Sequence, residues 1–181
     1  GENNIYLENI KSLGGSSFSQ HLMLLLPAKN FEIATFNLLA SNIEYLIFCY
    51  TVTRTQTKEF ERKFSKWAKA INKIAQLPIE EQEKGVTDFV NNVVKAEIKS
   101  KNSEFRLAFM ALRYDSLQIY KFKYILAKIA QYVDAQWLGK ANTDSLSPYL
   151  DGKIDIEHIL PNNPQQELLE SFGSKEEYDE Y

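Results

Sequence analysis

Glycine and proline are scarce in this sequence, at 7 and 5 of 181 residues. That scarcity favours helices over a turn-rich β fold, because tight turns depend on these two residues. Cysteine is rarer still. Cys49 is single and cannot form an intramolecular disulfide, so a small secreted scaffold held by staples is excluded. It lies in the apolar run 45–50 and reads as a buried, inert thiol, since apolar burial raises a thiol pKa. No signal peptide is visible. The longest strongly apolar stretch reads as 22–26, far below the roughly 20 residues that span a bilayer. A cytoplasmic location with no membrane partner is therefore expected. The chain opens on Gly1 rather than Met and stops within a helical pattern, as a piece of a longer protein would.

Apolar residues make up 44% and aromatics 13%, ample for a core. The net charge of −3 hides an uneven spread. Residues 167–181 hold six acids and one Lys, net −5, which leaves residues 1–166 at net +2. A mild positive excess permits a nucleic-acid partner without demanding one.

Helical periodicity dominates. A first helix is expected after Gly14-Gly15, capped by Ser17 and ended by Pro27, and a second over 31–53. The third, 57–76, is the best amphipathic case: Phe60, Phe64, Trp67, Ile71 and Ile74 recur at steps of three and four. Leu77-Pro78 breaks it, and Pro78 opens the next helix, which is expected to reach 99 with a bend near Gly85. Ser103 is expected to cap a further helix to Arg113. The last long helix, 117–138, should turn Ile119, Phe122, Ile125, Leu126, Ile129, Tyr132 and Val133 inward and stop at Gly139. The fold class is thus mainly α, with about six helices over 15–139. Residues 1–140 form a helical bundle and 141–152 a polar linker. From 153 to 160 the pattern alternates with period two and reads as a short strand. A loop at 161–164 follows, then a helix around Leu168, Leu169 and Phe172, and Ser174 with Glu177 as a capping box for another.

Glu157-His158 is the one acid–His pair in the chain, at the end of that strand. The string Ile156-Glu157-His158-Ile159-Leu160-Pro161 resembles the signature that opens the HNH-type nuclease domain of the GmrSD-type modification-dependent restriction endonucleases. Arg113-Tyr114 and Tyr124-Ile125-Leu126 fit the preceding texture more loosely. The resemblance implies that 153–181 is the start of an incomplete ββα-metal domain and that the helical region is the connector before it. In the parent, an N-terminal ParB-like nucleotide-using domain would precede the connector, and the rest of the nuclease domain would follow it. His158 would be the general base that activates water, and Glu157 a candidate ligand of a divalent metal such as Mg²⁺. The physics agrees, since an imidazole titrating near neutrality accepts a water proton and carboxylates suit hard cations. The family's later Gly-Asn-Leu stretch and Asn or His residues do not occur after Pro164. The piece is accordingly expected to hold no metal and to be inactive alone, within a parent that is a DNA endonuclease of restriction or phage-defence type.

Without the resemblance, an acid–His pair on a short strand reads as a structural or surface pair, and the chain as a non-catalytic helical interaction module. His21, beside a Leu-rich helix, reads as structural. Arg62, Lys66, Lys69 and Lys73 form a basic ladder on the third helix, extended by Arg54 and Lys58. They are candidate DNA-backbone contacts, although such a ladder is also the ordinary solvated face of a helix.

Overall fold

The computed structural model describes residues 4–14, 23–139, 145–151 and 165–179, and every described element is helical. The strand expected over 153–160 lies outside the described residues, as do Ser17 and His21. The chain divides into two compact units, Gly1–Leu150 and Asp151–Tyr181.

Helix formation starts earlier than the periodicity suggested. Helix α1 (Ile5–Gly14) is capped by Asn4, whose Oδ1 accepts from the Tyr6 and Leu7 amides at 3.1 and 3.2 Å. The Asn4 Nδ2 also donates to Asn37 Oδ1 at 2.7 Å, joining the cap to the next helix. A 3₁₀ turn, Leu26–Ala28, with Pro27 in its first turn, leads into α2 (Ile33–Val52). α3 (Thr57–Ala75) follows close to its expected bounds, and α4 (Ile79–Phe89) starts where expected. α4 does not end near residue 99. It passes through a π turn, Val90–Val94, directly into α5 (Lys95–Met110). Ser103 is therefore an exposed mid-helix residue and not a cap. The irregularity is the π turn, where Val90 and Val94 are buried while Asn91 and Asn92 face out. Gly85 has a different role from the expected bend. A Cβ there would lie 2.9 Å from Ile74 Cγ2, so its lack of a side chain lets α4 approach α3.

α2 is the central helix, packing on α1, α4, the π turn and α5. Its length and composition are those of a membrane span, although polar side chains interrupt its apolar run. Half of that stretch is nevertheless buried in the bundle, as in a core helix. Cys49 is 2% exposed, and burial pushes its thiol up to about 11, which leaves it protonated and inert at neutral pH.

A 3₁₀ turn, Tyr114–Ser116, precedes α6 (Ile119–Leu138), which ends at Gly139 with φ 63° as its composition predicts. The inward face differs from expectation. Tyr124, Ile125, Ala127, Gln131 and Ala135 are buried, whereas Ile119, Ile129, Tyr132 and Val133 are each at least 44% exposed. Polarity explains the rotation. Glu44 of α2, 6% exposed, accepts from Tyr124 Oη at 2.6 Å and Asn9 Nδ2 at 3.2 Å, and pairs with Lys128 Nζ at 2.7 Å. Burial, with the Glu44 carboxylate beside it, pushes the Tyr124 phenol far up, so it stays a donor. α7 (Ser147–Leu150), in the stretch read as a linker, packs on α6, with Tyr149 Oη donating to Asp134 Oδ2 at 2.6 Å. Leu146, 1% exposed, belongs to the core.

In the second unit α8 (Gln166–Phe172) and α9 (Lys175–Asp179) pack on each other. The Phe172 and Tyr178 rings meet edge to face at 5.1 Å. Ser174 Oγ accepts the Glu177 amide at 3.1 Å, the N-cap bond of the expected capping box.

Removing the central carboxylate strands two buried donors and an ammonium. Glu44→Ala should therefore lower unfolding free energy by about 1–3 kcal/mol, the cost of leaving buried donors unsatisfied, with a smaller part from the partly exposed Lys128. Urea melts read this directly. Glu44→Leu combined with Lys128→Met should lose less, because no unpaired charge remains.

Candidate nucleic-acid interface

α3 owes its orientation to its aromatic face. Phe60, Phe64, Trp67 and Ile71 are 8%, 5%, 7% and 0% exposed. Their rings run in one series: Tyr50 to Phe60 at 5.5 Å, Phe60 to Phe64 at 5.6 Å, Phe64 to Trp67 at 5.9 Å, and Trp67 to Phe89 at 6.0 Å. Each fully buried large side chain contributes about 1.5–3 kcal/mol, against at most about 1 kcal/mol for an exposed ion pair. The apolar face therefore decides which side of α3 meets solvent.

On that outer side Arg62, Lys66, Lys69 and Lys73 are all exposed. Positions 62, 66, 69 and 73 fall on one stripe of a 3.6-residue helix, and Lys58 precedes them on the same stripe. No carboxylate pairs with any of these five among the described residues. Lys63, one position off the stripe, shows the contrast. Its Nζ donates to Glu97 Oε1 at 2.6 Å and lies 3.5 Å from Glu59, bracing α3 against α5. Thus the cation nearest the core is neutralised, while the outer row keeps its charge available. Arg54 is not part of this row. It sits in the turn before α3 and faces a separate cavity.

Glu97 is the hub of the internal pairing. Tyr50 Oη donates to the same Oε1 at 2.8 Å, which ties in α2. Burial alone would raise the Glu97 carboxyl. The hydrogen bonds from Lys63 and Tyr50 and the charges of Lys63 and Lys101 outweigh it and hold the group below its ordinary 4.5.

The proposed chemistry of Glu157-His158 has no described geometry, because both residues fall within 152–164. Glu157 supplies a hard oxygen donor, the type that suits Mg²⁺. Among the described residues no group of three or more His, Cys, Asp or Glu side chains is placed to hold a metal.

The α3 stripe was readable from spacing alone. Glu97 was missed, because nothing in a single sequence pairs residue 63 with residue 97.

A folded carboxyl held below its unfolded value stabilises fully above about pH 4.5, and that contribution is lost as pH falls through the folded value. Glu97→Gln should therefore show a shallower acid-side loss of stability than the wild type. Urea midpoints taken from about pH 6 to about pH 3 test this, and equal slopes would remove Glu97 as a source of acid sensitivity.

Residues 99–181 match the family model described as the C-terminal domain of GmrSD restriction endonucleases. The match begins within α5 and takes in α6 and α7 together with the second unit. No curated protein and no solved structure matches the chain.

Proposed function

We propose, from the match of residues 99–181 to the C-terminal domain of GmrSD restriction endonucleases, that the chain is a piece of a metal-dependent DNA endonuclease. The observation that carries the reading is the coincidence of that match with the Glu157-His158-Ile159-Leu160-Pro161 string inside it. In this reading His158 takes the proton of the attacking water, and Glu157 is one carboxylate ligand of a divalent cation. When bound, that cation would supply charge stabilisation at the scissile phosphate. The α3 stripe contributes backbone contacts that hold duplex DNA without reading its sequence. The piece itself supplies one base and one ligand and is proposed to be inactive alone.

His158→Ala in the full-length parent should leave folding and DNA binding nearly unchanged and lower the cleavage rate by about 10²–10⁴, the usual contribution of a general base. Single-turnover cleavage of plasmid DNA with Mg²⁺ measures this. Unfolding of the variant with unchanged activity per folded molecule would make the residue structural. The stripe has its own test. Changing Lys66 and Lys69 to Gln should weaken binding to all duplexes alike and flatten the log–log salt dependence by roughly 0.9 per lost contact. An unchanged slope would leave the face merely solvated.

One observation favours a second reading, a helical interaction module. α6 turns Ile129, Tyr132, Val133 and Trp137 outward, with Trp137 84% exposed. Absence of any metal-dependent cleavage by the full-length parent would favour that reading over the first.

A further inference from the structure

α2 ends in a Schellman motif. The Arg54 amide donates to Thr51 O at 3.2 Å and the Thr55 amide to Tyr50 O at 2.9 Å. The residue between these bonds must take a left-handed conformation, and Arg54 does so with φ 52°. Glycine meets that requirement without strain, as Gly139 does at the end of α6. Arg54 is the one non-glycine residue with positive φ among those described. The turn itself thus gives no reason for an arginine.

The side chain supplies one. Arg54 lines a cavity of about 260 Å³ formed where the ends of α1 and α2 meet the start of α6. Lys121 enters from α6. It is half-buried, burial pushes its pKa down, and no carboxylate pairs with it among the described residues. Its Nζ lies 5.7 Å from the centroid of the neighbouring Tyr120 ring, a modest compensation. No acidic residue lines the cavity among the described residues. Thr51 and Thr55 add hydroxyls, while Leu13, Ile47, Phe60 and Leu117 make an apolar wall. The carbonyl ends of α1 and α2 bring partial negative charge, equivalent to about half a charge per helix, and do not match two full cations within one concavity.

We infer that this cavity binds a small phosphate-bearing anion, with Arg54 and Lys121 as its two cationic contacts and the apolar wall receiving the body of a phosphate monoester. Arg54 offers the planar fork that suits a phosphate, and Lys121 a point charge already stripped of part of its water. The volume is at the small end for ligand pockets, which suits a mononucleotide-sized ligand. The inference does not depend on nuclease activity, since it rests on the cavity lining alone and its test reads binding and melting.

Binding is read by calorimetry and by melting temperature on the chain itself. Three probes, inorganic phosphate, thymidine 5′-monophosphate and a 5′-phosphorylated oligonucleotide, are compared at matched ionic strength with chloride as the control. Wild type should bind at least one phosphate probe and melt higher with it. Tighter binding of the monophosphate would assign a free ligand, and tighter binding of the oligonucleotide a nucleic-acid end. Arg54→Gly and Lys121→Met should each melt at or above wild type without ligand, because one removes backbone strain and the other an uncompensated charge. Each should nevertheless bind about tenfold or more weakly, the loss expected for one charged hydrogen bond. That pairing of an undiminished fold with lost binding separates the site from a structural role. No phosphate-dependent shift in the wild type, or equal binding by the wild type and both variants, overturns the inference. So does a lower melting temperature for ligand-free Lys121→Met, which would show the cation serving the helix ends.

Discussion

A single carboxylate oxygen organises the core of the first unit. Glu44 Oε1 takes contacts from Asn9, Tyr124 and Lys128, side chains of α1 and α6 that meet on α2. A carboxylate out of water is tolerated only if its donors are placed with care, so the positions of α1 and α6 are coupled through it. Hydrophobic contact alone would leave both helices free to slide or rotate, because apolar burial has no direction. Geometry follows from the polar contacts, and bulk stabilisation follows from Ile43, Leu46 and Ile47 around them.

The other side of α2 repeats the device nearer the surface. Tyr50 and Lys63 converge on Glu97, which fixes α3 and α5 against α2. Here one charge is drawn inward and the rest of the α3 cations are left outside. A helix that presents a row of unpaired cations needs a reason not to turn that row inward, and the aromatic series from Tyr50 to Phe89 provides it. The surface stripe and the core packing are two faces of one periodic pattern.

That pattern explains what was legible in advance. α2 and α3 were placed closely because their apolar spacing and the break at Leu77-Pro78 are local signals. The end of α6 at Gly139 was local too. The misses share a cause. The buried face of α6 was misjudged because its inward residues include the polar Tyr124 and Gln131, and the Tyr124 bond to Glu44 is revealed only by the fold. α1 was missed because its cap is an Asn whose second bond goes to α2. The π turn has no compositional mark, and Ser103 carried a capping signal that the tertiary context overrode. Of the candidate site, the α3 stripe was visible in spacing, while the Glu157-His158 chemistry was visible only through resemblance.

The position of Glu44 also matters before the protein is folded. During synthesis α2 is complete long before Tyr124 and Lys128, which follow Glu44 by 80 and 84 residues, leave the ribosome. For that interval a helix with the length and hydropathy of a membrane span is displayed without its α6 partners. A charged carboxylate near the middle of such a helix costs about 2.5–3.5 kcal/mol on an insertion scale. The residue that later locks the bundle thus also weighs against membrane insertion of the nascent helix.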